Sequence, residues 1–151
     1  MSNMFCYQCE QTVKGTGCTQ MGVCGKDPEV AALQDLLVHA AKGISMYAHR
    51  AAKLGKRDHK IDVFVTEALF TTVTNVNFDA ARIEALLRKA AEVKKKAHKL
   101  YEQAATESGN LAETLAGPAQ WEPAADRAGL VAEGREIGIQ TRLTAAGPDV
   151  T

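Results

Sequence analysis

The sequence predicts an all-α fold: a three-helix up-down bundle with an N-terminal cysteine-rich loop and a weak fourth helix. Three observations carry that expectation. All four cysteines lie within the first 24 of 151 residues. Behind them, three successive segments repeat apolar residues at steps of three and four, the period of a single helix face. The composition is 46% hydrophobic but only 5% aromatic, so the core is built mainly from Ala, Leu, Val and Ile.

The first element is the loop, "MFCYQCEQTVKGTGCTQMGVCGK" from Met4 to Lys26, which also holds Gly15, Gly17, Gly22 and Gly25. The first helix follows at once. Asp27 offers its carboxylate as an N-cap and Pro28 suits the first turn. Val30, Leu33, Leu37, Ala40, Ile44, Tyr47, Ala51 and Leu54 then form one stripe, over about seven turns and about 40 Å. Gly55 marks its end. A second stripe runs Ile61, Phe64, Val65, Ala68, Leu69, Val73, Val76, and its β-branched end, "TTVTNVN", predicts a frayed or bent terminus. Asp79 caps a third helix with the stripe Ile83, Leu86, Leu87, Ala90, Val93, Ala97, Leu100, Ala104, closed by "ESGN" at 107–110. One-sided stripes must be covered, and each buried Leu or Ile contributes about 1.5–3 kcal/mol. Short connections favour an antiparallel bundle. A short helix around 122–136 is weaker because of Gly129 and Gly134. The expected organisation is therefore a loop over 1–26 packed on a bundle over 27–137 as one domain, with 138–151 a linker to further domains.

Eighteen basic residues balance eighteen acidic ones, which leaves no electrostatic footprint for nucleic acid or an anionic membrane. No apolar run approaches the roughly 18–20 residues a membrane span requires, and the N-terminus lacks the pattern of a secretory signal. A cytoplasmic, reducing setting is the expectation, and there four thiols bind metal more often than they pair.

The spacing is Cys6-x2-Cys9-x8-Cys18-x5-Cys24. A C-x-x-C turn presents two thiolates to one centre, and a glycine-bearing segment wraps a compact object with its N–H groups free to donate to sulfur. A disulfide pair, a structural zinc ion and an iron–sulfur cluster remain open on these residues. Nothing points to export, which weighs against the first. Four thiolates satisfy tetrahedral zinc, yet the second pair is not a tight knuckle. The iron–sulfur reading leads. The spacing differs from the C-x2-C-x2-C-x3-C-P run of bacterial ferredoxins.

"MFCYQCEQT", "GTGCTQMGVCGK", "LQDLL" and "LFTTVTNVNFD" together resemble the N-terminal region of hybrid-cluster proteins, also called prismane proteins or hydroxylamine reductases. The likeness runs across nearly the whole chain and is densest in residues 4–79. In that family the short x8/x5 spacing goes with a [4Fe–4S] cluster and a longer spacing with [2Fe–2S]. The resemblance implies that Cys6, Cys9, Cys18 and Cys24 ligate a [4Fe–4S] cubane. It further implies an oxidoreductase module that takes electrons from a small redox protein or reductase. These would pass to a separate iron–sulfur–oxygen cluster that reduces hydroxylamine. The Cys, Glu and His ligands of that second cluster lie in downstream domains of the family, and no cysteine follows Cys24 here. The chain alone is therefore expected not to catalyse the reduction. Family members commonly begin at the Met-Phe-Cys matching Met4 to Cys6, and the resemblance implies that Met1-Ser2-Asn3 is a short extension or an alternative start. The competing expectation is a small structural zinc protein without redox activity.

The other candidates read more plainly. His39, His49, His59 and His98 follow no metal spacing and read as solvated or packed side chains. "RKAAEVKKKAHK" at 88–99 reads as a solvated face, with a docking patch for an acidic electron donor as the functional alternative. Met4, Phe5, Tyr7 and Met21 either cover the cluster or pack the loop. Asn75 and Asn77 end one helix before Asp79 starts the next. "GTGCTQMG" lacks the spacing and preceding strand of a dinucleotide site, and there is no hydrolytic triad or carboxylate dyad.

Overall fold

A computed structural model describes residues 4–73 and 76–147. Among these the chain is all-helical: α1 spans Pro28–Lys53, α2 His59–Thr71, α3 Ala80–Glu107, α4 Arg127–Ile137 and α5 Ile139–Ala146. Short 3-10 turns occur at Val13–Gly15 and Gly117–Gln120. The helix boundaries follow the capping chemistry. Asp27 Oδ1 accepts from the Val30 N–H at 2.7 Å, and Asp79 Oδ1 accepts from the Ala81 and Arg82 N–H groups at 2.9 and 3.3 Å. Each such cap is worth about 1 kcal/mol. At the other ends, Gly55 and Gly109 take φ of +83° and +72°, and Asn110 N–H reaches back to the Ala105 carbonyl at 2.9 Å. The β-branched stretch ends α2 at Thr71, as its composition predicts. Asn75 lies outside the described residues.

The chain divides into two compact units. One comprises the residues up to Leu36, Thr71–Ala85 and those from Ala124 onward; the other comprises Leu37–Phe70 and Leu86–Pro123. The second is a small bundle in its own right. Leu37, Ile44 and Ala51 from α1, Ile61 and Phe64 from α2, and Leu87, Ala90 and Ala97 from α3 are all buried. Tyr47 is buried among them with its ring 4.5 Å from His98, and its hydroxyl donates to the Ala119 carbonyl at 3.5 Å. Burial, helped by Glu102, raises the Tyr47 pKa above the usual tyrosine value. Lys94 departs from the expected solvated face: it is buried, and its ammonium donates to the Trp121 carbonyl and, at 3.0 Å, to Glu122. Lys89 stands 5.1 Å over the Phe64 ring and 3.9 Å from Glu67. Lys94 is thus the exception in the basic run: Lys89, Lys95, Lys96 and Lys99 stay exposed, as a solvated face requires.

The first unit carries the cysteine loop. Val30, Leu33, Leu36, Ile83 and Leu130 form its apolar interior. Here α4 starts later than the 122–136 expectation, because the backbone reaches helical geometry only after Asp126, whose Oδ1 accepts from Gly129 N–H at 2.8 Å. Arg127 then ties this helix start to Glu84 at 2.8 Å and Glu29 at 3.8 Å. These carboxylates, the Glu84 hydrogen bond first, raise the Arg127 pKa further. Residues 139–146, read from sequence within a trailing linker, form α5 instead.

Candidate metal centre

The loop is shaped by a short antiparallel pairing between its two arms. Cys6 N–H donates to the Cys18 carbonyl at 3.0 Å and Cys18 N–H returns to Cys6 at 2.8 Å. Residues exchanging both bonds stand about 5.5 Å apart at Cα, with side chains on one face. The arms are joined through the 3-10 turn at Val13–Gly15. Gly17, just before Cys18, has φ +119°, and a Cβ there would come within 2.6 Å of the Phe5 ring. Only glycine allows the second arm to cross that ring. Cys24 sits in the next turn, closed by Gly22 N–H to the Lys26 carbonyl at 2.7 Å and Gly25 N–H to the Gly22 carbonyl at 2.8 Å. Its Sγ fills the space over Gly22, 3.0 Å from where a Cβ would stand. Cys9 lies on the first arm and is half-buried, like Cys6 and Cys24; Cys18 is buried.

All four thiols are free. Cys6 and Cys18 come together with Met4 and Ala31 in a small buried cluster. Met4 and Phe5 face inward, whereas Tyr7 and Met21 are 59% and 56% exposed, so the four hydrophobics divide between packing and display. Beside Cys6 lies a cavity of about 180 Å³, lined by Phe5, Tyr7, Gln8, Lys26 and Gln34 among others. Lys26 is the residue that the spacing argument passed over. It is buried, and its Nζ donates to Gln8 Oε1 at 2.7 Å while standing 3.9 Å from Cys6 Sγ. Its one sequence signal is adjacency to the last cysteine in "GVCGK". The histidines do not join the site: His39 and His49 lie along α1, His59 begins α2, and His98 stacks on Tyr47. Among the described residues, no three His, Cys, Asp or Glu side chains converge on a single-ion position. None of the described helices is long and apolar enough to cross a membrane.

The donor set fits an iron–sulfur cluster in its chemistry. It offers four soft sulfur donors on one loop and a buried lysine beside one of them. Fold and loop together define a chain, all-helical among the described residues, that bears a four-cysteine loop ahead of its first helix. The chain belongs to the Prismane/CO dehydrogenase family, whose model matches residues 4–146. A hydroxylamine reductase of Rhodospirillum rubrum is 54% identical over 148 residues, covering 98% of this chain and 27% of that protein. One from Geobacter sulfurreducens is 53% identical, covering 95% of this chain and 26% of its own length. Another, from Syntrophobacter fumaroxidans, is 48% identical over 91% of this chain and 25% of its own. The chain thus spans about a quarter of the length of these relatives.

Proposed function

We propose that this chain is the iron–sulfur electron-transfer module of a hydroxylamine-reductase-like oxidoreductase, with Cys6, Cys9, Cys18 and Cys24 holding a [4Fe–4S] cluster. The observation that carries the reading is the confinement of all four free thiols to one glycine-bearing loop, in a chain of the prismane family. When bound, such a cluster supplies reversible one-electron storage. The chain's own residues supply the rest. Cys18, buried and backbone-paired to Cys6, fixes the separation of two ligands. Cys9 and Cys24, on the flanking arm and turn, complete the set. Met4 and Phe5 pack beneath the loop and restrict water on that side, one of the influences on a cluster's potential. The electrons come from a partner redox protein or reductase of the cytoplasm. They leave toward catalytic domains outside this chain, which spans about a quarter of the length of the relatives it matches.

The alternative, a structural zinc ion, needs four sulfurs within roughly 3.8 Å of one another around metal–sulfur bonds of about 2.3 Å. A cubane, taking one thiolate per iron, spaces its ligands more widely. Metal and sulfide analysis of the loaded chain separates the two.

The test is an anaerobic reductive titration of the loaded chain followed by addition of hydroxylamine. The expected result is uptake of about one electron per chain and no turnover of hydroxylamine. Failure to accept electrons would refute the redox reading, and sustained hydroxylamine reduction would place a catalytic centre in this chain.

A further inference from the structure

Lys26 is only 2% exposed. Its ammonium touches Gln8 Oε1 at 2.7 Å, Cys6 Sγ at 3.9 Å and the Phe78 ring at 5.9 Å. The Gln8 amide and the Phe78 ring carry no charge. Asp35 lines the same cavity, but among the described residues no carboxylate forms an ion pair with Lys26. A buried ammonium is unfavourable unless an anion stands near it. The one partner that becomes anionic as a metal ligand is Cys6.

We propose that Lys26 is a positioning residue whose buried ammonium, steered by Gln8 onto Cys6 Sγ, raises the electron affinity of the cluster. The inference rests on the iron–sulfur reading above. Reduction adds one electron, delivered by a one-electron reductant, and the step as written transfers no proton. A fixed positive charge beside a ligand sulfur favours the state with the extra electron, and weak local screening magnifies the effect. Gln8 is the tether: its carbonyl oxygen accepts one hydrogen bond from the ammonium.

The experiment compares the midpoint potentials of the loaded wild-type chain and of Lys26→Met, Lys26→Arg and Gln8→Met, by spectroscopic redox titration, with iron content measured on each sample. Lys26→Met keeps the length and burial of the side chain and removes the charge. It is expected to bind iron as the wild type does, while its affinity for the electron falls at least tenfold, which is 59 mV for a one-electron couple. Lys26→Arg should stay within threefold of wild type. Gln8→Met, which frees the ammonium from its tether, should fall at least threefold. A Lys26→Met chain that titrates within threefold of wild type overturns the proposal. Should Lys26→Met not load, an unshifted Gln8→Met overturns it equally. A wild-type chain that takes up no cluster sinks the proposed function as well, so the two failures are told apart.

Discussion

Cys9→Ser is expected to abolish the iron–sulfur absorption of the loaded chain while leaving its helices standing. Cys9 is half-buried on the first arm and takes no part in the Cys6–Cys18 backbone pairing. Its loss therefore removes a proposed ligand without removing the pairing that shapes the loop. Cluster uptake and loop order are coupled, since the ligands must be deprotonated and gathered for binding to proceed. The helical units do not share that dependence. Leu37, Ile44, Phe64, Leu87 and Ala97 are buried without any contribution from the cysteines. Within the loop the described helical content is only the three-residue turn at Val13–Gly15. Circular dichroism should thus change by less than about a tenth, because the signal comes from α1 to α5. Cooperative loss of the whole helical signal would mean that the bundle leans on the cluster.

The second large effect is steric. Gly43→Ala and Gly134→Ala should each destabilise the chain by about 2 kcal/mol, although alanine in a helix interior ordinarily gains about 1 kcal/mol over glycine. A Cβ at Gly43 would stand 2.2 Å from the Pro118 carbonyl oxygen, and one at Gly134 would stand 2.1 Å from that of Ala32. Both obstacles are backbone, which cannot swing away as a flexible side chain does. At this chain length, 2 kcal/mol lowers the thermal midpoint by about 4–8 °C. Melts of the two variants against wild type decide the matter, and a raised midpoint in either would contradict the close approach.

These glycines also show where sequence reading stops. Periodicity located α1, α2 and α3, and the carboxylates of Asp27 and Asp79 marked two helix starts, because caps and apolar stripes are local properties that one segment displays by itself. Gly134 reads from sequence only as a weak helix residue; its contact with Ala32 is a tertiary fact, about a hundred positions away in the chain. Lys94 looks like one more lysine in a basic run until its ammonium is found on the Trp121 carbonyl. The α2 stripe gave the right helix but overstated its cover: Leu69 and Val73 are 44% and 49% exposed. A helical period identifies a face, not what lies against it. At the candidate centre the four cysteines and their loop were legible from spacing and glycine content. Lys26 was not, because the feature that singles it out is a buried ammonium beside a sulfur, and no motif encodes that.

The central claim is that the four thiols hold an iron–sulfur cubane. Its most direct test is analysis of anaerobically reconstituted chain for iron, acid-labile sulfide and zinc. About four irons and four sulfides per chain, and no stoichiometric zinc, are predicted. One zinc per chain with no sulfide would contradict the account.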